Sequence, residues 1–278
     1  MLTARSRVEL DAICDGLRRD FGGVALVPTM GALHAGHRAL VEAGVASGRG
    51  VVTSIFVNPL QFNASEDLSR YPRDEAGDLA MLAATGCHAV WLPDVQTMYP
   101  PGEATTIDVD GPALNWEGAA RPGHFRGVAT VVAKLFRQVR CETAYFGEKD
   151  WQQLQVVRRM AADLELGVDV IGIPTVRDGD GLALSSRNRF LSAPERSRAA
   201  LLPEVLRRTV AALAGGANAA PALNAARETL AEGGFGVDYL ALVDGPSLTE
   251  IPAAQKGARL IAAARLGTVR LLDNVAAG

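Results

Sequence analysis

The sequence predicts an α/β protein: a parallel sheet with helices on both faces, followed by a smaller α+β region. Two observations carry this. Between residues 24 and 174, short continuous apolar runs alternate with stretches of helical periodicity. Uninterrupted apolar strands separated by helices belong to a parallel sheet that is covered on both faces. After residue 194 the order changes to Ala-rich helical stretches and then strand-like runs. A boundary near Thr175 therefore divides the chain into residues 1–175 and 176–278.

Taken in order, residues 3–20 carry Val8, Leu10, Ile13 and Leu17 at helical spacing and predict an amphipathic helix. Residues 24–28 read as a buried strand. Gly31 and Gly36 then break the pattern, and a helix is expected to begin near His37. Residues 51–57, rich in β-branched side chains, predict a second strand. Residues 58–71 are polar and irregular. A helix over 74–85 stops at Gly86, and a third strand covers 88–92. Residues 105–109 suggest an added short strand and 111–124 a loop. A helix over 128–139, a strand over 143–146, a helix over 150–164 and a strand over 168–174 complete the alternation. Beyond it, 194–233 predict two helices broken at Gly215-Gly216, and 237–243, 258–264 and 269–272 predict strands.

A chain of 278 residues buries about 75% of its unfolded surface and needs no disulfide or structural metal to fold. Apolar residues make up 48%, which excludes a disordered chain. The net charge of −3 argues against non-specific nucleic-acid binding. Cys14, Cys87 and Cys141 form no C-x-x-C pair, so zinc-ribbon and thioredoxin readings fall away and a reducing compartment is expected. The uncharged stretch 210–226 is broken by glycine, asparagine and proline, and is not read as membrane-spanning. With no apolar signal core near Met1, the expectation is a cytoplasmic protein.

Four segments carry chemistry. Pro28-Thr-Met-Gly-Ala-Leu-His-Ala-Gly-His37 sits where a buried strand gives way to a helix. A helix N-terminus offers unpaired N–H groups to phosphate, and Gly36 would let the backbone approach a ligand. Two imidazoles there donate hydrogen bonds, more strongly if protonated. A metal pair or ordinary loop histidines are the alternatives. Phe146-Gly-Glu-Lys-Asp150 repeats the strand-to-helix placement. Lys149 suits polyphosphate, and Asp150 either contributes or merely caps the helix. Leu184-Ser-Ser-Arg187 places two hydroxyls and an arginine beside a Gly-rich stretch, either as a phosphate clamp or as a capped turn. Gln61 and Gln153 offer neutral amides to a small polar acid. Parallel sheets bind ligands at the carboxyl ends of their strands, so these segments are expected to converge. No G-x-S-x-G elbow or P-loop appears. The pocket suits attack on a nucleotide phosphate, promoted by positioning and charge.

Five ordered motifs, residues 27–37, 54–62, 121–125, 146–153 and 181–188, closely resemble those of pantothenate synthetase, the pantoate–β-alanine ligase family, and the resemblance extends to Leu272-Asp-Asn274. It implies a Rossmann-like nucleotide-binding catalytic domain, a smaller C-terminal lid and a homodimer. It implies ATP, Mg²⁺, pantoate and β-alanine as ligands, with a pantoyl-adenylate intermediate. Carried over, Met30, Gly31, Ala32, Leu33, His34, Ala35, Gly36 and His37 form an ATP-binding segment, with His37 as proton donor and His34 at the phosphates. Gly147, Glu148, Lys149 and Asp150 also bind ATP, with Lys149 stabilising charge at the α-phosphate. Val176 touches the adenine side, and Leu184, Ser185, Ser186 and Arg187 close over the phosphates. Gln61 and Gln153 hold pantoate. Residues 178–181 are a candidate hinge. Ala35 and Leu184 depart from the usual pattern, and Gly77 stands beside Asp78 where two acids are common, so the Mg²⁺ ligands stay unassigned. A nucleotidyltransferase acting on a phosphate acceptor, and a non-catalytic nucleotide-binding module, are the competing readings.

Overall fold

The computed structural model describes residues 1–62, 68 and 71–278. Much of the irregular stretch expected over 58–71 lies outside the described residues. In chain order the elements are β1 (Leu2–Ala4), α1 (Arg7–Phe21), β2 (Val24–Thr29), α2 (Ala35–Ala46), β3 (Gly50–Ile55), α3 (Glu75–Ala84), β4 (Ala89–Trp91), α4 (Val95–Met98), α5 (Glu117–Ala120), α6 (His124–Val139), β5 (Thr143–Gly147), α7 (Trp151–Asp163) and β6 (Asp169–Ile173). Then follow α8 (Ala193–Ala199), α9 (Leu201–Ala214), α10 (Ala219–Glu232), β7 (Phe235–Asp244), β8 (Ala258–Leu266) and β9 (Val269–Ala276). Short 3₁₀ turns cover Pro59–Gln61, Glu148–Asp150 and Ser186–Phe190.

The first sheet runs β1-β4-β3-β2-β5-β6, and every neighbouring pair is parallel. Its strands show why the apolar runs are continuous. Successive residues of β2 point to opposite faces: Val24 and Leu26 join the core under α1, α6 and α7, whereas Ala25 and Val27 join the one under α2 and α3. In β5, Ala144 and Phe146 face one side and Tyr145 the other. Both faces are dry, so alternation of polar and apolar residues disappears. From β2 the chain moves one way to β3 and β4, then crosses back to β5 and β6. The gap between the carboxyl ends of β2 and β5 is the topological switch point.

The second sheet is antiparallel, β7-β8-β9. Its two faces do different jobs. Leu240 and Leu242 of β7 pack beneath α9 and α10, while Ala241 and Val243 pack with Trp116 and with Trp151 of α7. That second face is the seam between the two sheets. Trp151 Nε1 donates to the Gly245 carbonyl at 2.7 Å and Trp116 Nε1 to that of Leu248 at 2.9 Å, which ties the seam down.

Several expectations needed correction. Residues 2–4 are a strand, not the start of a helix, because they find a parallel partner in β4. The helix begins only after Ser6, whose hydroxyl and the Glu9 carboxylate form a reciprocal capping box. Residues 105–109 form no strand. The Ile107 N–H goes instead to Thr130 Oγ1 of α6, at 3.0 Å. The loop expected over 111–124 contains the one-turn α5. The first of the two expected Ala-rich helices is divided into α8 and α9.

Candidate active site

A cleft of about 270 Å³ opens at the switch point and receives residues from both halves of the chain. His34 and His37 enter it from the β2–α2 junction, and Lys149 and Asp150 from the β5–α7 junction. Gln61 and Gln153 line it beside Met30, Gly36 and Gly147. Val176, Leu184, Ser185, Ser186 and Arg187 line it from the segment after β6. The four segments singled out from the sequence therefore do meet. Gly31, Ala32, Leu33, Ala35 and Glu148 do not line the cleft.

The histidine turn is built by local chemistry. His34 is the N-cap of α2, not a residue before it: its Nδ1 accepts from Gly36 N at 3.1 Å. His37 reaches back, and its Nδ1 accepts from His34 N at 3.2 Å. The two rings lie 4.1 Å apart, centroid to centroid. A Cβ on residue 36 would press on the His34 ring, so this glycine makes room for the imidazole itself and not only for a ligand. Because each Nδ1 accepts a backbone proton, each neutral ring carries its own proton on Nε2. Burial holds His34 down to about 4, helped by the Lys149 charge. Burial, with His34 adding to it, holds His37 to about 3. Both rings are thus neutral Nε2–H donors near pH 7 in the free site, which leaves the sequence-level choice between neutral and protonated donors on the neutral side.

Gly31 (φ +82°) and Ala32 (φ +51°) take left-handed conformations in the turn that precedes His34. Asp78, at the start of α3, braces it. One carboxylate oxygen accepts from Ala32 N at 2.9 Å and the other from Leu33 N at 2.7 Å. Asp78 thus has a structural task that its position beside Gly77 did not reveal. Burial nevertheless pushes its carboxyl above the usual range, against these hydrogen bonds.

Lys149 lies close enough to lower the affinity of both imidazoles for protons, so the cation and the histidine pair share one space. Its Nζ is 3.2 Å from Asp150 Oδ1. The Asp150 side chain makes no capping bond to α7, which removes the simple capping reading of that residue. Ser185 does cap: its hydroxyl accepts from Arg187 N at 3.2 Å. The capped-turn reading therefore holds at Ser185, while Arg187 and Ser186 still line the cleft.

The amide side of the cleft has its own supports. Gln61 Oε1 accepts from Asn58 Nδ2 at 3.1 Å, and Asn58 Nδ2 also reaches the Gly127 carbonyl at 3.1 Å. A Cβ at Gly127 would collide with Leu60 and Gln61 backbone, so only glycine lets this turn seat against α6. The His124 ring is 2.9 Å from the Gln61 carbonyl, and Arg121 donates to the same oxygen at 3.4 Å. Tyr99 donates to Asn58 Oδ1 at 2.7 Å. Asn58, Tyr99, Arg121, His124 and Gly127 had no assigned role. Asn58, Arg121 and His124 did lie in the family-like motifs 54–62 and 121–125, whereas Tyr99 and Gly127 had no signal.

The candidate hinge at 178–181 is closely held. Arg196 pairs with Asp178 at 2.7 Å and also with Asp180, and Arg177 makes a two-pronged pair with buried Asp273 at 2.7 and 2.8 Å.

Known proteins share this arrangement end to end. The family profile described as Pantoate-beta-alanine ligase matches residues 3–276. A pantothenate synthetase of Acidiphilium cryptum is 60% identical over 265 residues, spanning 95% of this chain and 94% of the relative. The crystal structure of pantothenate synthetase from Thermus thermophilus superposes with a TM-score of 0.94 at 49% identity, covering 100% of this chain and 99% of that one. The pantoate-β-alanine ligase of Francisella tularensis, complexed with Beta-gamma ATP and Beta-alanine, gives a TM-score of 0.84 at 31% identity, covering 100% and 98%. With both sheets and the cleft between them included in these matches, the chain belongs to the pantoate–β-alanine ligase family, the pantothenate synthetases.

Proposed function

We propose that this family member joins pantoate to β-alanine at the expense of ATP in two steps, and that the cleft at the switch point performs both. A carboxylate is a poor acyl donor because its oxygen leaves badly. In the first step a pantoate carboxylate oxygen attacks the α-phosphorus, the bond to pyrophosphate breaks, and pantoyl adenylate forms. In the second step the β-alanine amine attacks the acyl carbon and AMP leaves.

One observation carries the assignment of residues: neutral amides and a cationic, imidazole-lined pocket open into the same cleft. Lys149 places a point charge beside the imidazoles and offsets the negative charge that gathers on the α-phosphate. His37 and His34, held with Nε2–H facing outward from the turn, supply directed hydrogen bonds to phosphate oxygens, and His37 has the proton-donor role that the family resemblance implies. Arg187 and the Ser185 and Ser186 hydroxyls approach the phosphates from the segment after β6, with Val176 at the adenine side. Gln61 and Gln153 hold the hydroxyls and carboxylate of pantoate. A closed cleft keeps water from the adenylate.

The nucleotide enters as its Mg²⁺ complex. Mg²⁺ usually keeps phosphate and water ligands with only one or two carboxylates. Among the described residues no group of three or more His, Cys, Asp or Glu stands ready to hold a metal unaided, in keeping with an ion bound mainly through phosphate. The strand order, with its switch at β2 and β5, supports a Rossmann-like domain over residues 1–175 and a smaller lid over 176–278. Three buried free thiols favour a reducing, cytoplasmic setting. Among the described residues no helix is long and apolar enough to cross a membrane. A homodimer belongs to the same reading through the family resemblance.

The decisive experiment is a coupled assay. Pyrophosphate release from ATP should require pantoate, and AMP release should require β-alanine as well. Gln153→Ala should weaken pantoate binding about tenfold, equivalent to ~1.4 kcal/mol, and leave ATP binding nearly unchanged. Pyrophosphate release driven by pantetheine phosphate in place of pantoate would favour nucleotidyl transfer. ATP binding without turnover of any acid would favour a mere binding module.

A further inference from the structure

Strand β9 reaches across the seam and grips the backbone of Lys149. Asn274 is 4% exposed, and its Nδ2 donates to the carbonyls of both Glu148 and Lys149, each at 2.9 Å. Those carbonyls belong to the two peptide planes that flank the Lys149 Cα. Holding both planes fixes the direction of the Cα–Cβ bond, and with it the arc that the ammonium sweeps.

Asn274 is itself held at every other polar atom. Its Oδ1 accepts from Arg259, its N donates to Asp273 Oδ1 at 2.7 Å, and its carbonyl accepts from Arg177 at 3.2 Å. Arg259 adds a second tie to the same turn. It pairs with Glu148 at 3.1 Å and lies over the Trp151 ring, 3.4 Å from its centroid. The junction before α7 has no side-chain cap of its own. The fixed frame for the lysine therefore comes from the C-terminal sheet.

We propose that Asn274 is a positioning residue for Lys149, so that adenylate formation depends on the seating of β9 against the lysine turn. The inference rests on the assignment of Lys149 to the α-phosphate made above. Lys149 acts when pyrophosphate leaves, so loosening its backbone should slow the first half-reaction and spare the second.

The test uses the full-length chain. Asn274→Asp keeps the size of the side chain and an acceptor for Arg259 while removing both N–H donors; Asn274→Ser is the second variant, and thermal melts report folding of each. Pyrophosphate release from ATP and pantoate is followed in a single turnover, and AMP release is followed from supplied pantoyl adenylate and β-alanine. Adenylate formation should slow about 10- to 100-fold, the usual consequence of a small misplacement of a reacting group. Aminolysis and pantoate affinity should stay within about twofold of wild type, a split that general loosening of the fold does not produce. Lys149→Ala combined with Asn274→Asp should be no slower than Lys149→Ala alone. Equal losses in both half-reactions, multiplying losses in the double variant, or a wild-type rate in Asn274→Asp would overturn the inference. If Lys149→Ala itself forms adenylate at the wild-type rate, the lysine assignment fails first. If Lys149→Ala is crippled and Asn274→Asp is not, only the role of Asn274 fails.

Discussion

Two strand-to-helix junctions face each other across the cleft, and they are held in opposite ways. The turn after β2 is mostly self-contained. His34 caps α2, His37 returns the bond to His34 N, and Gly36 leaves room for the ring, all within four residues. Among the described residues, Asp78 braces the two preceding residues, Ala32 and Leu33, from outside the segment. The turn after β5 lacks a side-chain cap and is held by Asn274 and Arg259, more than 100 residues away. One junction carries its geometry in a short motif, and the other borrows it from a second sheet. A site assembled in this way can keep its donors fixed while its cation follows the seating of the C-terminal part.

The comparison can be broken most severely at the reacting groups. His37→Ala and Lys149→Ala should each slow adenylate formation about a hundredfold or more, the range seen when a preorganised charge stabiliser is removed. Single-turnover pyrophosphate release measures this. Folded variants with normal rates would show that the two junctions do not work on the same phosphate.

A smaller effect is expected at this distant support of the histidine turn. Asp78→Ala leaves the Ala32 and Leu33 N–H groups buried without an acceptor, at a cost of ~1–3 kcal/mol for each. Denaturant melts should show the loss of stability, and ATP affinity should fall with it. An Asp78→Ala protein as stable as the parent would mean that the turn needs no outside brace, which would sharpen the contrast with the lysine turn.

The mildest test uses acid. Folding lowers the proton affinity of both imidazoles, to about 4 and about 3, from an ordinary value of 6.5. Below pH 6.5 the unfolded chain binds more protons at these positions than the folded one. Their contribution to stability is therefore complete above pH 6.5 and declines as the pH falls towards 4. Thermal melts from pH 7 to 4 should show a shallower decline in His34→Gln/His37→Gln than in wild type. Equal slopes would show that the buried rings do not resist protonation.

Much of the architecture was legible in sequence because dry parallel strands leave continuous apolar runs. Residues 24–28 and 143–146 were placed within one residue at either end of β2 and β5. Short elements were less legible. Residues 2–4 become a strand only because β4 lies beside them, and 105–109 remain unpaired because α6 takes the Ile107 N–H. At the site, histidine, lysine, serine and arginine stood out by chemistry and placement. Gly127 and Asp78 did not, since their importance lies in what they touch: a turn pressed against a helix, and two N–H groups 45 and 46 residues away.

By itself the sequence determined the alternation of strands and helices, the placement of two histidines where a strand gives way to a helix, and the presence of cations and amides suited to a nucleotide and a hydroxy acid. These depend on neighbours within a few residues, where periodicity and capping chemistry act. Only the tertiary structure decided that the imidazoles are neutral, that Asp78 secures a backbone turn and that Asn274 frames the lysine. Proton affinity depends on burial and on charges brought close in space, and a hydrogen-bond partner is chosen by the approach of distant segments.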